Sequence, residues 1–171
     1  MHIRQLRTAW RLAACALLCL ALAGCDAQRI SELEEGVATE ADVRARFGVP
    51  EAIWDAPGGG RTLEYNRNPA GYQNYMITIG PDGRMSALRQ VLHPANFAKV
   101  KPGMSMEELR RMLGKPAQRQ RYAASGEASW EWRWMDPPNR AMLFIVWFDG
   151  DWRVARTGMQ EDPQAQPGVA K

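Results

Sequence analysis

The sequence predicts an α+β protein built from two tandem units of similar design, each a pair of short helices followed by antiparallel strands. Three observations carry this. The stretch Lys99 to Pro116, KVKPGMSMEELRRMLGKP, reads as one capped helix. A weaker copy, Gly36 to Pro50, GVATEADVRARFGVP, precedes it, with Gly48 and Pro50 answering Gly114 and Pro116 at an offset of 66 residues. Downstream, Leu63-Glu64-Tyr65 answers Trp130-Glu131-Trp132 and Asp82-Gly83 answers Asp149-Gly150, each at an offset of 67. A repeat that survives through a helix, a strand and a hairpin turn marks a duplicated structural unit.

The helix signals are chemical. Ser105 is placed to cap the second copy, with Glu108 three residues on to reach back, and Met104 can staple onto Leu109 across the first turn. Leu109, Met112 and Leu113 form one apolar stripe. Gly114 supplies a residue that tolerates a left-handed turn, and Pro116 stops continuation. In the first copy Thr39 and Asp42 repeat the capping box, and Val43 and Phe47 repeat the stripe.

The pattern G-M-S-x-x-E-L-R-x-x-L-G-K-P from Gly103, followed by an aromatic strand with Trp130, Glu131 and Trp132 and a late Asp149-Gly150 hairpin, resembles the BamE (SmpA/OmlA) family of small bacterial lipoproteins. The resemblance covers about residues 29 to 159, and its tandem arrangement is also similar to β-lactamase inhibitor proteins. It implies a helix pair on a three-stranded antiparallel sheet in each unit. It also implies attachment to the outer membrane, and an envelope protein complex as partner, as for the family's subunit of the β-barrel assembly machine. The chain lacks the Tyr-Arg-Pro and Gln-Gly-Asn stretch that such subunits carry before the first helix, so the resemblance implies a relative with a duplicated domain. The β-lactamase inhibitor likeness implies a second reading, an inhibitor-like or ligand-sensing protein gripping an enzyme or cell-wall ligand between two stacked sheets.

At the N-terminus, Arg4, Arg7 and Arg11 lead into the apolar run Leu12 to Leu22, which is too short to span a bilayer and reads as a cleavable export signal over residues 1–24. Leu22-Ala23-Gly24-Cys25 resembles a lipobox, which implies acyl chains on Cys25. Residues 25–29 would then be a tether of roughly 15 Å, holding the first unit near the membrane surface. Asp26 resembles a signal for inner-membrane retention, against the outer membrane that the family implies. With the leader gone, the basic side chains equal the 19 acidic ones in number, so the basic isoelectric point offers no support for nucleic-acid binding. Cys15 and Cys19 leave with the signal, and no disulfide is expected.

The units are assigned to residues 30–92 and 97–159, joined by 93–96 and followed by a disordered tail, 160–171. In the first, Arg29 to Glu35 is a helical turn with Ile30 and Leu33 inward, and strands follow at 52–55, 62–66, 75–79 and 85–92. Pro57-Gly58-Gly59-Gly60 lacks the following helix and Lys-Ser/Thr pair of a phosphate cradle, and reads as a hairpin loop. In the second, Asn96 to Lys101 is the matching turn, and strands follow at 118–122, 129–134 and 141–148, with a last strand holding Arg153 and Arg156. Glu32, Glu34 and Glu35 on one turn, and Lys99 and Lys101 on the other, either pair the units, meet different partners or lie on solvated faces.

Trp130, Trp132 and Trp134 share one strand face, Glu131 and Arg133 the other. Ala141 to Phe148, AMLFIVWF, is apolar on both faces and needs cover on both sides. The capped helix covers one. The other is covered by the first unit, by neighbouring aromatics, or by a partner whose groove would centre on Trp130, Trp134, Trp147 and Trp152, with Arg153 and Arg156 at the rim. No cofactor, metal site or catalytic group is expected. His93, the only histidine outside the leader, stands beside Pro94 in the connector with no serine or thiol arranged near it in sequence.

Overall fold

The computed structural model describes residues 30, 32–123 and 126–165. The expected export signal, Cys25 with its expected tether and the last six residues of the expected tail lie outside them.

Both capped helices form as their sequences dictate. Helix α1 (Glu40–Phe47) begins at Thr39, whose N–H donates to Asp42 Oδ2 at 2.9 Å while Asp42 N–H returns a bond to Thr39 Oγ1 at 3.3 Å. After the one-turn helix α2 (Pro94–Phe97), helix α3 (Met106–Leu113) repeats the device, Ser105 N–H to Glu108 Oε2 at 2.7 Å and Glu108 N–H to Ser105 Oγ at 3.2 Å. Both capping carboxylates are held below their ordinary pKa, Asp42 first by the Thr39 hydroxyl and Glu108 first by the Ser105 backbone N–H.

The strands are β1 (Ala52–Asp55), β2 (Arg61–Asn66), β3 (Asn74–Ile79) and β4 (Met85–Gln90), then β5 (Gln118–Arg121), β6 (Ala128–Asp136), β7 (Arg140–Phe148) and β8 (Val154–Glu161). They form two four-stranded antiparallel sheets, β1-β2-β3-β4 and β5-β6-β7-β8. The three-stranded sheet implied by the family resemblance is therefore corrected to four. The short β1 and β5, which the residue pattern does place, hydrogen-bond along one edge of each sheet. The helix pair is also corrected: α2 spans one turn, and its start at Pro94 lies inside the stretch read as a linker. Strand β8 likewise runs through Gln160 and Glu161, into the stretch read as a tail.

Alternation along the strands sorts side chains into layers. Leu63, Tyr65, Ile77, Ile79 and Met85 on one face of the first sheet enclose Val43 and Phe47 of α1, and Ile30 and Leu33 pack on the same core. The opposite face of that sheet meets α3, where Met76 joins Leu109 and Leu113 in a second core. That core continues into the inner face of the second sheet, through Trp130, Trp132, Trp134, Phe144, Val146 and Phe148. The layer order is thus α1, first sheet, α3, second sheet, and the space between the sheets is filled by a helix. Each large apolar side chain buried here contributes about 1.5–3 kcal/mol. The acidic turn residues are used within the first unit, Glu32 on Arg46 at 2.6 Å and Glu35 on Arg89 and the Leu88 N–H, while Lys99 and Lys101 are exposed.

Candidate interaction surface

A helix C-terminus leaves carbonyls without partners, and burying one requires donors from its surroundings. Around α3 those donors come from three directions. Asn96 Nδ2 donates to Met112 O at 3.2 Å, Asn74 Nδ2 to Leu113 O at 2.9 Å and Lys115 O at 3.1 Å, and Trp132 Nε1 to Gly114 O at 3.0 Å.

The acceptor that completes this joint is Glu64, which is 0% exposed. Its carboxylate accepts Trp54 Nε1 at 3.0 Å, Asn66 Nδ2 at 2.7 Å, the Lys115 backbone N–H at 2.9 Å and the Arg110 guanidinium at 3.3 and 3.4 Å. A buried carboxylate is tolerated only when its lone pairs are filled this way. Lys115 Nζ adds a surface pair with Glu51 at 2.6 Å, and the Arg111 guanidinium lies 4.6 Å from the Trp54 ring centre.

Glu131 occupies the same place in the second sheet. Glu51 N–H bonds Glu64 O at 2.8 Å, and Ala117 N–H bonds Glu131 O at 2.8 Å; across the sheet Glu64 pairs with Met76 and Glu131 with Ile145. The surroundings differ. Among the described residues no group donates to the Glu131 carboxylate, and burial, followed by the charge of Asp162, pushes its pKa up. A carboxyl whose pKa is raised takes up a proton on folding, so its ionisation destabilises the native state above the raised value. That penalty disappears as the pH falls through the ordinary 4.5. Glu131→Gln is accordingly expected to raise the denaturation midpoint at pH 7 and to lose that advantage near pH ~4, as urea titrations at the two pH values would show.

The face around Glu131 is the outer side of the second sheet. Its floor is Leu143 and Ile145, both buried, and the half-buried Trp147. The Trp147 ring covers Gly158, where a Cβ would stand 2.9 Å from the indole. The Arg156 guanidinium lies 4.0 Å from that ring's centre and 3.7 Å from Glu127. One end is closed by Arg133, which holds the buried Asp162 at 2.6 Å, donates to Pro69 O at 2.8 Å and reaches the Tyr72 hydroxyl at 3.0 Å. Beside it a cavity of about 270 Å³ opens between Gln118, Gln120, Glu131 and Gln160.

The six residues expected to form an aromatic groove do not share one surface. Trp147 and Arg156 stand together on the outer face. Trp130 and Trp134 are core residues of the inner face, a correction that follows from strand alternation, since both belong to the set packed by α3. Trp134 is 2% exposed, and among the described residues its Nε1 has no hydrogen-bond partner. Trp152 is 43% exposed in the β7–β8 hairpin at φ 60°, with Arg121 5.2 Å from its ring. Arg153, in the turn of the same hairpin, donates to Gly103 O at 3.4 Å. His93 is exposed at the head of α2, and among the described residues no cluster of His, Cys, Asp or Glu has metal-binding geometry. Glu64 and Glu131 were not singled out by sequence as interaction residues; the signal that marks them is a carboxylate between two core aromatics or aliphatics at the same repeat position in both units.

No protein-family model matches the chain, and no curated protein matches it. Solved structures similar to it include one described as an osmotically inducible lipoprotein, OsmE, at 24% identity over 42% of this chain and 82% of that one, with a TM-score of 0.36. A DUF4309 family protein from Bacillus subtilis is 19% identical over 76% of this chain and 82% of its own, with a TM-score of 0.29. A protein described as a β-lactamase inhibitor protein, from Streptococcus mutans, is 11% identical over 72% of this chain and 82% of its own, with a TM-score of 0.33. None reaches a TM-score of 0.5.

Proposed function

We propose that this chain is a non-catalytic binding or scaffolding protein of the bacterial envelope, fixed to a membrane through acyl chains on Cys25 and presenting the outer face of its second sheet to a protein partner. The observation that carries the binding half is the contrast between two equivalent faces. The face of the first sheet turned away from α1 holds a helix through a saturated carboxylate; the equivalent face of the second sheet, its outer one, has the carboxylate, an apolar floor and, among the described residues, no helix. A half-buried acid without donors beside Leu143, Ile145 and Trp147 is stabilised by a partner that brings donors and apolar surface together. The anchoring half is supported by the lipobox-like Leu22-Ala23-Gly24-Cys25 after an export signal. Two or more acyl chains suffice for stable membrane attachment. The outer membrane is the favoured location, on the resemblance to BamE lipoproteins.

Labelling with palmitate tests the anchor. The wild-type chain is expected to incorporate label and to accumulate as an uncut precursor under globomycin, and Cys25→Ser is expected to lose label and leave the membrane pellet. Processing indifferent to globomycin rejects the anchor. Density fractionation of the labelled membranes then shows which membrane holds the protein.

A further inference from the structure

Resting on the reading of the second sheet's outer face as a binding surface, we infer that its occupant is helix α1 of a second copy, docked as α3 docks on the first sheet within one chain, so that copies associate head to tail. The internal joint is the template. Its helix side is Arg110, Gly114 and Lys115; the same positions in α1 are Arg44, Gly48 and Val49. In α3 the turn is buried, with Gly114 and Pro116 enclosed against the first sheet, whereas in α1 Gly48 is exposed and Val49 is 87% exposed. Ala41 and Ala45 extend that exposed strip along the helix. Gly48 O accepts the Tyr65 hydroxyl at 3.2 Å, as Gly114 O accepts Trp132 Nε1, while the side of α1 that carries Ala41, Ala45 and Val49 is exposed.

The two halves have changed together. Where α3 has Arg111 and Lys115, α1 has Ala45 and Val49. Where the first sheet has Asn74 and Thr78, the second has Leu143 and Trp147, as the strand registers place them. At these positions polar has become apolar on both sides of the joint, Trp54 has become Gln120 where Arg111 has become Ala45, and the ionic pair Arg110 with Glu64 keeps its counterparts, Arg44 and Glu131. Arg44 now pairs with Glu40 of its own helix at 2.7 Å, a partly exposed i,i+4 pair of small worth that costs little to exchange. The chain leaves the first sheet through Val91 N–H on Asn74 O at 2.9 Å, and leaves the second through Asp162 N–H on Ala141 O at 3.0 Å. Because Asn74 corresponds to Leu143, the second exit lies two residues further along the sheet, and β8 stays paired past the position at which β4 turns away. An interface that uses different patches on the two partners propagates, so species larger than dimers are expected.

Cross-linking the full chain in its own membranes tests this. Lys115 and Glu51 touch across the internal joint, and their counterparts are Val49 and Ala117. V49C with A117C, treated with a short bis-maleimide, is expected to give a ladder of dimers, trimers and higher species, and either single variant at most a dimer. Glu131→Arg in the double-cysteine chain is expected to abolish the ladder, and Arg44→Glu added to it to restore the ladder, which an unfolded variant would not allow. Monomer alone from V49C with A117C, or a ladder indifferent to Glu131→Arg, overturns the inference. Cross-linking of the chain without either added cysteine reports a free Cys25 and counts against the anchor, while the ladder above that background still decides the association.

Discussion

Glu64→Ala is expected to destabilise the protein by about 3–5 kcal/mol, the usual cost of removing one partner from a buried charge pair. The carboxylate is fully enclosed and serves five donor contacts, among them a guanidinium and a backbone N–H at the end of α3. Truncation leaves Arg110, the Trp54 indole and Lys115 N–H without the acceptor they were arranged around. Glu64→Gln keeps the volume and part of the hydrogen bonding, so it is expected to lie between wild type and Ala. The same substitution at Glu131, to which no described residue donates, is expected to be stabilising at neutral pH. Urea denaturation of the three variants against wild type measures the contrast.

Gly114→Ala is expected to be the second large loss, and Gly48→Ala the internal control. Both glycines occupy a backbone region that is essentially closed to residues with a Cβ, Gly48 at φ 84°, ψ −150° and Gly114 at φ 77°, ψ −173°. Each substitution therefore costs about 1–3 kcal/mol from the backbone alone. At Gly114 a Cβ would also stand 2.4 Å from Asn66 Oδ1 and 3.0 Å from Asn74 Nδ2, whereas at Gly48 it meets nothing within 4 Å. The clash adds about 1–3 kcal/mol of overpacking and disturbs the Asn74 bonds to the helix end. Denaturation midpoints should place Gly114→Ala well below Gly48→Ala; equal losses would show that the α3 turn is not gripped by the first sheet.

Much of the fold was legible because it is written in local chemistry. The two capping boxes, the Gly-x-Pro stops and the apolar stripes are short-range signals, and α1 and α3 form on them. Strand alternation in β6 placed three tryptophans on one face and Glu131 with Arg133 on the other. Sheet size was misread where family likeness was weighed above the residues: Ala52–Asp55 and Gln118–Arg121 are visible as short strands, yet three per sheet were expected. The candidate surface was less legible, because burial of a face depends on which layer comes next. Trp130 and Trp134 look like contact residues in sequence, and only the position of α3 between the sheets shows them to be core. Asp162 was read into a tail because its partner, Arg133, is 29 residues away in sequence.

The outer face of the second sheet, where Trp147 is half-buried in the isolated chain, is expected to be covered in the membrane. Oxidative footprinting of tryptophan in native membranes, compared with protein dispersed in detergent and diluted, tests it directly. Trp147 is expected to be protected in membranes and to become reactive on dispersal, while Trp152 reacts in both and the enclosed Trp132 in neither. Trp147 equally reactive in the two preparations would contradict the account.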